Sequence, residues 1–382
     1  MLDLALVLLL ARWAMGWLLG ARSPSLARLG GVRSVLPSEM RSALRFSVII
    51  PARNEAESLP NLLGTVAPQT LPPFEVIVVD DASTDNTALI ARDAGATALS
   101  FGNPPPGWLG KPWACWQGAQ HSNGDVLVFL DADTVMTPAF LELLAARLDE
   151  APGIVSVAPF HETRRVYEQA SGLFHLVSFM GIGLSNVRLR TRVTGAFGPC
   201  IAIRRGDYER IRGHSAVQSD VLEDIAIARN AVRAGIEVRN YVAGDHFRYR
   251  MYPNGMRQLV EGWSKNIAAG ARSTPWLRTV AIAAWVSGLI ESAWVFASGL
   301  IGMAFGGPVL AQSAVLMYAL FTAQLLVLLR RVGSFNVAAV CYPIAALAFL
   351  AIFSNSIVML MRGKVKWKDR VIDLSRPGTH QP

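Results

Sequence analysis

The chain of 382 residues is 52% hydrophobic and only 17% charged, and its formal net charge is +8. Because soluble domains carry about 25% charged residues, this composition argues against a wholly soluble protein. The apolar excess lies in residues 2–20 and 279–361, whereas 45–275 has the composition of a globular α/β domain. The basic residues cluster beside the apolar segments, which favours anionic lipid headgroups over nucleic acid as their partner.

Residues 1–21 predict a transmembrane or interfacial helix that is retained as an anchor. Asp3 precedes any positive charge, Arg12 interrupts the apolar run, and no small-x-small cleavage site follows. A basic linker, 22–44, leads into the globular part, and five arginines against one glutamate lie between 22 and 45. By the positive-inside rule, this flank and the domain after it are cytoplasmic in a multi-pass cell-membrane protein.

The cysteines give a further indication of the compartment. Cys115, Cys200 and Cys341 are odd in number, lie far apart and lack the spacing of a metal site. We therefore expect free thiols in a reducing compartment rather than a disulfide framework.

Strands and helices alternate along the globular part. The predicted strands are 45–50, 74–81, 96–101, 125–130 and 154–159. The predicted helices are 55–65, a helix capped by Ser83 or Thr84 that stops at Gly95, 113–122 and 138–148. Such alternation indicates βαβ units, and hence a doubly wound, mostly parallel sheet with helices on both faces.

Polar residues follow three of these strands, at 53–55, at 80–81 and at 131–133. In open α/β sheets, ligands bind beyond the carboxyl ends of the strands. Carboxylates two residues apart, Asp131 and Asp133, are hard oxygen ligands suited to Mg²⁺ or Mn²⁺ shared with substrate phosphates. Lys111 follows a Gly- and Pro-rich loop that could bring its ammonium to a diphosphate. Helix-capping aspartates and a solvated lysine remain the alternatives for any one of these residues taken alone.

Four motifs occur in a fixed order along 45–275: VIIPARNEAESL, VVDDASTDNT, GD-x₄-LDADT and VLEDIAIARNAVRAG. Together they resemble the family-2 inverting glycosyltransferases of the GT-A fold. Five further stretches are most similar to membrane glycosyltransferases of the carotenoid-acid (4,4'-diaponeurosporenoate) type: GWLGKPWACWQGA, YEQ, GAFGPC, RMYPNG and EGWSKN. A hopanoid-associated branch is similar but less close.

The resemblance implies roles for matching residues. Residues expected to line the nucleotide pocket, or to contact the base and ribose, are Pro51, Arg53, Glu55, Asp80 and Asp81. Lys111 would meet the diphosphate, Asp131 and Asp133 would hold the metal beside the nucleotide, and Asp133 is the preferred direct ligand. Asp224 matches the catalytic base, with Glu223 beside it as a catalytic or structural partner.

The chemistry of inverting transfer needs a base that takes a proton from the attacking acceptor. A metal offsets the charge that grows on the leaving diphosphate. If the acceptor is a carboxylic acid, it is already ionised at neutral pH, and Asp224 would orient it instead. The alternative for Glu223 and Asp224 is structural, because acids at the start of an amphipathic helix also suit its dipole.

The C-terminal part predicts membrane segments. The GT-A domain is expected to cover 45–254, followed by an interfacial amphipathic segment, 255–275. The transmembrane region 276–361 contains three apolar runs, at 279–305, 308–329 and 335–361. Three crossings would place the basic tail 362–382 outside, against the positive-inside rule. Either one run is re-entrant or interfacial, or the tail breaks the rule.

Several residues stay open between two interpretations. Glu291, an acid inside an apolar run, is either functional or paired with a serine, a tryptophan or a lipid headgroup near the interface. His246 could bind the metal or pack, with packing preferred, and His214 is expected to be structural. The arginines expected to contact phosphate or headgroups are Arg248, Arg250 and Arg257.

The sequence therefore predicts a membrane-bound, metal-dependent hexosyltransferase. The expected reaction transfers glucose from UDP-glucose to a lipid or terpenoid acceptor such as a carotenoid carboxylate. A polyprenyl phosphate, hopanoid or glycerolipid acceptor is the first alternative, and a catalytically silent membrane scaffold is the second. The Gln-x-x-Arg-Trp motif of processive relatives is missing from the sequence, which favours transfer of a single sugar.

Overall fold

A computed structural model describes residues 4–20, 24–27, 44–183, 193–304, 311–361, 364–367 and 370–373. Its α-helices are α1 Leu4–Gly20, α2 Leu59–Val66, α3 Thr87–Asp93, α4 Gly110–Gln120, α5 Phe140–Glu150, α6 Gly172–Ile182, α7 Arg205–Arg210, α8 Glu223–Arg233, α9 Met256–Ser273, α10 Trp276–Ala304, α11 Ala311–Leu329, α12 Asn336–Val340 and α13 Tyr342–Met361. Its strands are β1 Phe46–Ala52, β2 Glu75–Asp80, β3 Thr97–Ser100, β4 Val126–Leu130, β5 Thr134–Met136, β6 Ile154–Ala158, β7 Phe160–His161, β8 Cys200–Arg204, β9 Val238–Val242, β10 Phe247–Tyr249, β11 Lys364–Trp367 and β12 Arg370–Asp373. Three short 3₁₀ helices cover Val166–Ser171, Gly213–Val217 and Gly244–His246.

The chain divides into two compact units. The sheet unit comprises the described residues of 24–161 and 193–251. The helical unit comprises the described residues of 1–23, 162–192 and 252–374. Residues 162–183 thus group with the helical unit, although they lie in sequence within the predicted GT-A domain 45–254.

The sheet unit is built on seven strands in the order β3-β2-β1-β4-β8-β6-β9. All neighbours pair in parallel except β8, which runs antiparallel to both β4 and β6. A smaller sheet has the order β5-β10-β7. The predicted α/β fold with a mostly parallel sheet is confirmed, and the single reversed strand is the feature that the alternation pattern did not predict.

The central strands are buried on both faces. Val48, Ile50 and Val128 lie in one core with helices α2 and α5, whereas Ile49 and Leu127 lie in the other with α4 and α8. Successive side chains of a strand point to opposite faces, so a continuous apolar run serves both layers. This arrangement leaves the polar chemistry to the strand ends.

Three predicted helix starts were wrong. Helix α2 begins at Leu59, because the backbone first turns at Glu55, whose carbonyl accepts the N–H of Ser58 at 3.1 Å. Helix α3 begins at Thr87, after Asn86, so Ser83 and Thr84 do not cap it. Both instead contact Asn54: its N–H donates to Ser83 Oγ at 3.0 Å, and its Oδ1 accepts the N–H of Thr84 at 2.8 Å.

Helix α4 begins at Gly110, three residues before its predicted start. Pro112 lies in its first turn, where a missing N–H has no intrahelical partner to lose. The earlier start is important for the site, because it brings Lys111 into the first turn of the helix.

Three helices in the helical unit are long and apolar enough to cross a membrane: Trp276–Ala304, Gln312–Leu329 and Tyr342–Met359. Helix α1 is shorter, with 17 residues, and is held against two of them. Trp13 Nε1 donates to the carbonyl of Leu320 at 3.0 Å, and Gln324 Nε2 donates to the carbonyl of Trp13 at 2.7 Å. Gly16 faces Trp285 so closely that a Cβ there would clash.

An ion pair joins α1 to α10 inside these apolar segments. Arg12 Nη1 contacts the Glu291 carboxylate, and each side chain is only about one-third exposed, at 34% and 36%. The partner of Glu291 is therefore Arg12, which the sequence interpretation did not name. Each charge offsets the desolvation of the other.

We expect Glu291→Gln to lower the free energy of unfolding by about 1–3 kcal/mol, because Arg12 then keeps a charge without a matching carboxylate. The measurement is thermal or denaturant unfolding of the detergent-purified protein. The double variant Arg12→Met with Glu291→Met should recover most of the loss, since no unpaired charge remains. Ser287→Ala, at an exposed position of the same helix, is the control. A Glu291→Gln protein as stable as this control would contradict the prediction.

Candidate active site

Three elements of the sheet unit meet at the ammonium of Lys111. Lys111 lies in the first turn of α4, Asp131 follows β4 directly, and Glu223 begins α8. Lys111 Nζ lies 2.7 Å from Asp131 Oδ1 and 2.9 Å from Glu223 Oε1. Motifs far apart in sequence thus form one charged cluster, which we call the Lys111 cluster and which comprises Lys111, Asp131, Glu223 and Asp224.

The charges of the Lys111 cluster support one another. Burial alone would lower the pKa of Lys111, but the carboxylates of Asp131 and Glu223 outweigh it and raise that pKa well above its usual value. Burial would likewise raise the pKa of Glu223, yet the ammonium lowers it. Lys111 and Glu223 are therefore both ionised at neutral pH. The lysine thus pairs with the carboxylate of Asp131, which lies at the end of the buried strand β4.

Asp224 has a different environment from its neighbour Glu223. Its Oδ2 accepts the N–H of Gly198 at 3.0 Å, and its Oδ1 accepts the N–H of Ile225 at 2.8 Å. Burial first, and then the charge of Glu223, raise the pKa of Asp224 to about 7. Adjacent carboxyl groups whose pKa values move in opposite directions are typical of acid–base sites.

Gly198 is a residue that the sequence interpretation did not select. A Cβ at this position would lie 2.9 Å from Asp224 Oδ2 and 3.3 Å from Lys111 Nζ. A side chain at residue 198 would therefore displace the Asp224 carboxylate from its present position. The motif GAFGPC contained this signal, as a glycine shortly before the apolar strand β8.

Buried polar side chains hold the loop that contains Gly198, residues 195–199. Ser156 Oγ, from β6, accepts the N–H of Phe197 at 2.6 Å. Asn240 Nδ2, from β9, donates to the carbonyl of Gly195 at 2.9 Å. The available signal was a polar residue inside each strand: Ser156 within IVSVA and Asn240 within VRNYV.

The residues expected to contact the nucleotide lie at the ends of β1 and β2. Arg53 Nη1 donates to the carbonyl of Asp81 at 2.7 Å, and the N–H of Asp81 donates to the carbonyl of Ala52 at 2.8 Å. Asp80 Oδ1 accepts the N–H of Ser83 at 3.1 Å. Asp80 and Asp81 are both buried, so the two strand ends form one fixed polar edge.

Pro51, Glu55 and Asp133 complete the predicted set. Pro51 lies in β1 opposite Val79, and the Glu55 carboxylate accepts the hydroxyl of Ser58. Asp133 is partly exposed, two residues beyond Asp131. The members of the Lys111 cluster contact one another directly. The residues expected to contact the nucleotide lie at or near the ends of strands β1 and β2, and β1 lies between β2 and β4 in the sheet.

Asp131 and Asp133 supply the oxygen donors expected for a divalent cation. Among the described residues, no group of three or more His, Cys, Asp or Glu side chains could hold a metal ion. Mg²⁺ commonly binds through one or two carboxylates, with water and substrate phosphates as its other ligands. The donor set therefore fits a cation shared with a diphosphate better than a site completed by protein alone.

The remaining histidines and cysteines have structural surroundings. His246 Nδ1 lies 3.0 Å from Thr137 Oγ1, which agrees with the preferred packing role. His214 is buried, 2.9 Å from the Tyr208 hydroxyl, and burial lowers its pKa to about 3. All three cysteines are free: Cys115 and Cys200 are buried and Cys341 is exposed. Arg257 is exposed and pairs with Glu261 at 3.0 Å.

Comparison with known proteins first defines the class. A mannosyltransferase from Pyrobaculum calidifontis, solved in complex with GDP-Man and Mn²⁺, superposes with a TM-score of 0.52 over 92% of this chain and 94% of its own. The two sequences are 18% identical, so the likeness concerns the fold. The sheet unit thus has the GT-A fold.

The family follows from sequence. The family description "Glycosyl transferase family 2" matches residues 47–212. The 4,4'-diaponeurosporenoate glycosyltransferase of Staphylococcus aureus strain USA300 is 33% identical over 340 residues, which cover 86% of this chain and 88% of that protein. The chain belongs to glycosyltransferase family 2, as its motifs predicted.

The raised pKa of Asp224 predicts a pH dependence of stability. In the unfolded chain this carboxyl ionises near pH 4, whereas in the folded protein it ionises near pH 7. Folding therefore takes up a proton between these values. The protonated Asp224 therefore adds its full contribution to the free energy of unfolding below about pH 4. This contribution falls as the pH rises from 4 to 7 and is lost above pH 7.

Asp224→Asn has no group to ionise there, so we expect its stability relative to wild type to rise from pH 4 to 7, by up to about 1.4 kcal/mol per pH unit. Thermal unfolding in detergent, without metal or nucleotide, measures this trend. Asp149→Asn, at an exposed position of α5, is the control for the replacement itself. A difference between Asp224→Asn and wild type that is constant with pH would refute the assignment.

Proposed function

We propose that this glycosyltransferase transfers one hexose, glucose from UDP-glucose, to the carboxylate of a carotenoid acid at the membrane. The observation that carries the proposal is the Lys111 cluster, in which Lys111 joins Asp131, at the strand end proposed for the cation, to Glu223, the neighbour of a carboxyl of raised pKa. The name of the Staphylococcus relative, a 4,4'-diaponeurosporenoate glycosyltransferase, supports a carotenoid acid as acceptor. The apolar helices of the helical unit support a membrane location.

In this proposal the residues act on the two ends of the reaction. The acceptor oxygen attacks the anomeric carbon, and the bond from that carbon to the diphosphate oxygen breaks, with its electron pair leaving on UDP. Lys111, released from one of its two carboxylates, would contact the diphosphate. Asp224, with Glu223 ionised next to it, would face the acceptor.

Asp131 and Asp133 would hold Mg²⁺ or Mn²⁺ together with the diphosphate. Such a cation would offset the negative charge of the leaving group. The Pyrobaculum mannosyltransferase, solved with Mn²⁺ and GDP-Man, supports this choice of ion. The buried carboxylates Asp80 and Asp81 would accept hydrogen bonds from the base and ribose, and Arg53 would fix the edge on which they lie.

A carotenoid acid is already ionised at neutral pH, so its carboxylate needs no base to attack. Asp224 would then orient the acceptor, and a raised pKa suits that task. A protonated or proton-sharing carboxyl can lie beside the acceptor carboxylate without two full charges repelling each other. A hydroxyl acceptor would instead require Asp224 to take a proton.

The test is release of UDP from UDP-glucose by the detergent-purified chain with a C30 carotenoid acid and Mn²⁺, with mass spectrometry of the product. We expect release that depends on the acid, stops with chelator, and yields a glucosyl ester. The methyl ester of the same acid is the matched control acceptor, because it has no carboxylate to attack. Release that is equal with acid and ester, or the lack of any glucosylated product, would contradict the proposal.

Asp224→Asn distinguishes the two acceptor chemistries in this assay. Loss of a general base costs about a hundredfold or more, whereas loss of an orienting group for an ionised acceptor should cost less than about tenfold. Asp133→Asn should abolish the Mn²⁺ dependence together with most of the activity. Asp149→Asn, on the exposed end of α5, is the matched control. A hundredfold loss in Asp224→Asn with the carotenoid acid would overturn the orienting role.

A further inference from the structure

The third apolar helix of the helical unit, α13, packs along α9. Asn355 Nδ2 donates to Ser264 Oγ at 2.9 Å, and Ser356 Oγ donates to the carbonyl of Ser264. Helix α9 has four charged residues: Arg257, Glu261, Lys265 and Arg272. Charged side chains are costly in the hydrocarbon core, so a helix with four of them lies at its surface. A helix that runs beside α9 is then held near the same surface.

One end of the helical unit serves as a reference, and we call it the Gly20 end. There Arg331 Nη1, just beyond α11, donates to the carbonyl of Gly20 at 3.2 Å. Helix α10 begins at this end as well: Arg278 Nη1 donates to the carbonyl of Gly181 at 2.7 Å, and the adjacent Met180 faces Gly20. The end of α1, the end of α11 and the start of α10 therefore lie together.

After α11 the chain turns away from the Gly20 end but does not reach the opposite end of the helical unit. Tyr318 Oη donates to the carbonyl of Val340 at 2.7 Å, and Ser292 Oγ lies 2.8 Å from Tyr342 Oη. Tyr318 is eleven residues before Leu329, which corresponds to about 16 Å along a helix. The short helix α12 thus ends beside the middle of α11. Helix α13 begins at the same depth, and not at the opposite end of the helical unit.

The chain then returns to the Gly20 end. Strand β11, which follows α13, packs against α9. Helix α9 itself leads through residues 274 and 275 directly into the start of α10. Both the entry into α12 and the exit from α13 are therefore on the same side of the unit.

The sequence flanks agree with this path. The positive flanks are the five arginines of 22–45, Arg330 with Arg331, and the tail RGKVKWKDR. The first two flanks follow α1 and α11 at the Gly20 end. The connection 305–310 between α10 and α11, FGGPVL, has no charge. Positive flanks collect on one side of a membrane. The tail lies on the same side as the other two flanks only if the third apolar run, 335–361, turns back within the membrane.

We propose that residues 335–361 re-enter the membrane instead of crossing it, so that α9, Arg330–Arg331 and strand β11 lie at one membrane surface. This surface binds anionic lipid headgroups through Arg257, Lys265 and Arg330. Helices α10 and α11 are then the two long crossing segments, and α1 packs beside them. A surface of this kind gains about 1 kcal/mol for each Lys or Arg near anionic lipid. It is independent of which sugar or acceptor the enzyme uses.

Cysteine labelling of the full-length protein in oriented membrane vesicles tests the path. In a Cys341→Ser background, single cysteines are introduced as Ser34→Cys, Gly306→Cys and Ser375→Cys. The two native cysteines that remain, Cys115 and Cys200, are buried. With a membrane-impermeant maleimide, we expect positions 34 and 375 to label from the same side and position 306 from the opposite side. Labelling of position 375 together with 306 would overturn the proposal.

The headgroup contact has its own readout. The protein is extracted from membranes of known composition, and the retained phosphatidylglycerol is measured by native mass spectrometry. Replacing the exposed Arg257 and Arg330 by glutamine should lower the retained anionic lipid at least about twofold. The control replaces the exposed Arg92 and Arg210 of the sheet unit by glutamine. Equal retention in the two variants would overturn the role of this surface in lipid binding.

Discussion

The contact on which the site depends is the ammonium of Lys111 between the carboxylates of Asp131 and Glu223. Asp131 follows a fully buried strand. Glu223 is itself buried, and its carboxylate could not remain charged there without a nearby cation. The lysine also links the residues proposed to act on the donor with those proposed to act on the acceptor. Asp131 belongs to the strand end proposed for the metal and diphosphate, and Glu223 adjoins Asp224, whose pKa it helps to raise. A change at either end of the cluster is therefore expected to affect the other.

The fold makes this contact possible through one reversed strand. Because β8 runs antiparallel beside β4, the loop before β8 lies next to the residues that follow β4. Its Pro199 carbonyl accepts the N–H of Asp131 at 3.1 Å, and its Gly198 N–H reaches Asp224. Two buried polar side chains, Ser156 and Asn240, hold the loop from the strands behind it. A strand direction, two core hydrogen bonds and a missing side chain thus determine the position of the carboxyl proposed to face the acceptor.

The sequence was sufficient for what depends on local pattern. Apolar runs bounded by polar residues predicted β1, β2 and β4 within a residue or two, and the order of motifs predicted the family. It was insufficient for what depends on pairing between distant residues. Nothing near Lys111 indicates that it meets Glu223, more than a hundred residues later, and nothing near Glu291 indicates Arg12. Two further features are likewise determined by packing: the direction of β8, and the end of α12 beside the middle of α11. The helix capped by Ser83 or Thr84 was wrong because Asn54, thirty residues earlier, bonds to both.

The central proposal is that Asp131, in the Lys111 cluster, and Asp133 form a cation site completed by the diphosphate of UDP. Electron paramagnetic resonance of Mn²⁺ with the detergent-purified full-length protein measures it directly, with UDP and GDP added in turn. The account predicts that UDP tightens Mn²⁺ binding at least about tenfold, and that Asp133→Asn abolishes this gain while Asp149→Asn retains it. Mn²⁺ binding that neither nucleotide changes, or a gain that survives in Asp133→Asn, would contradict the account.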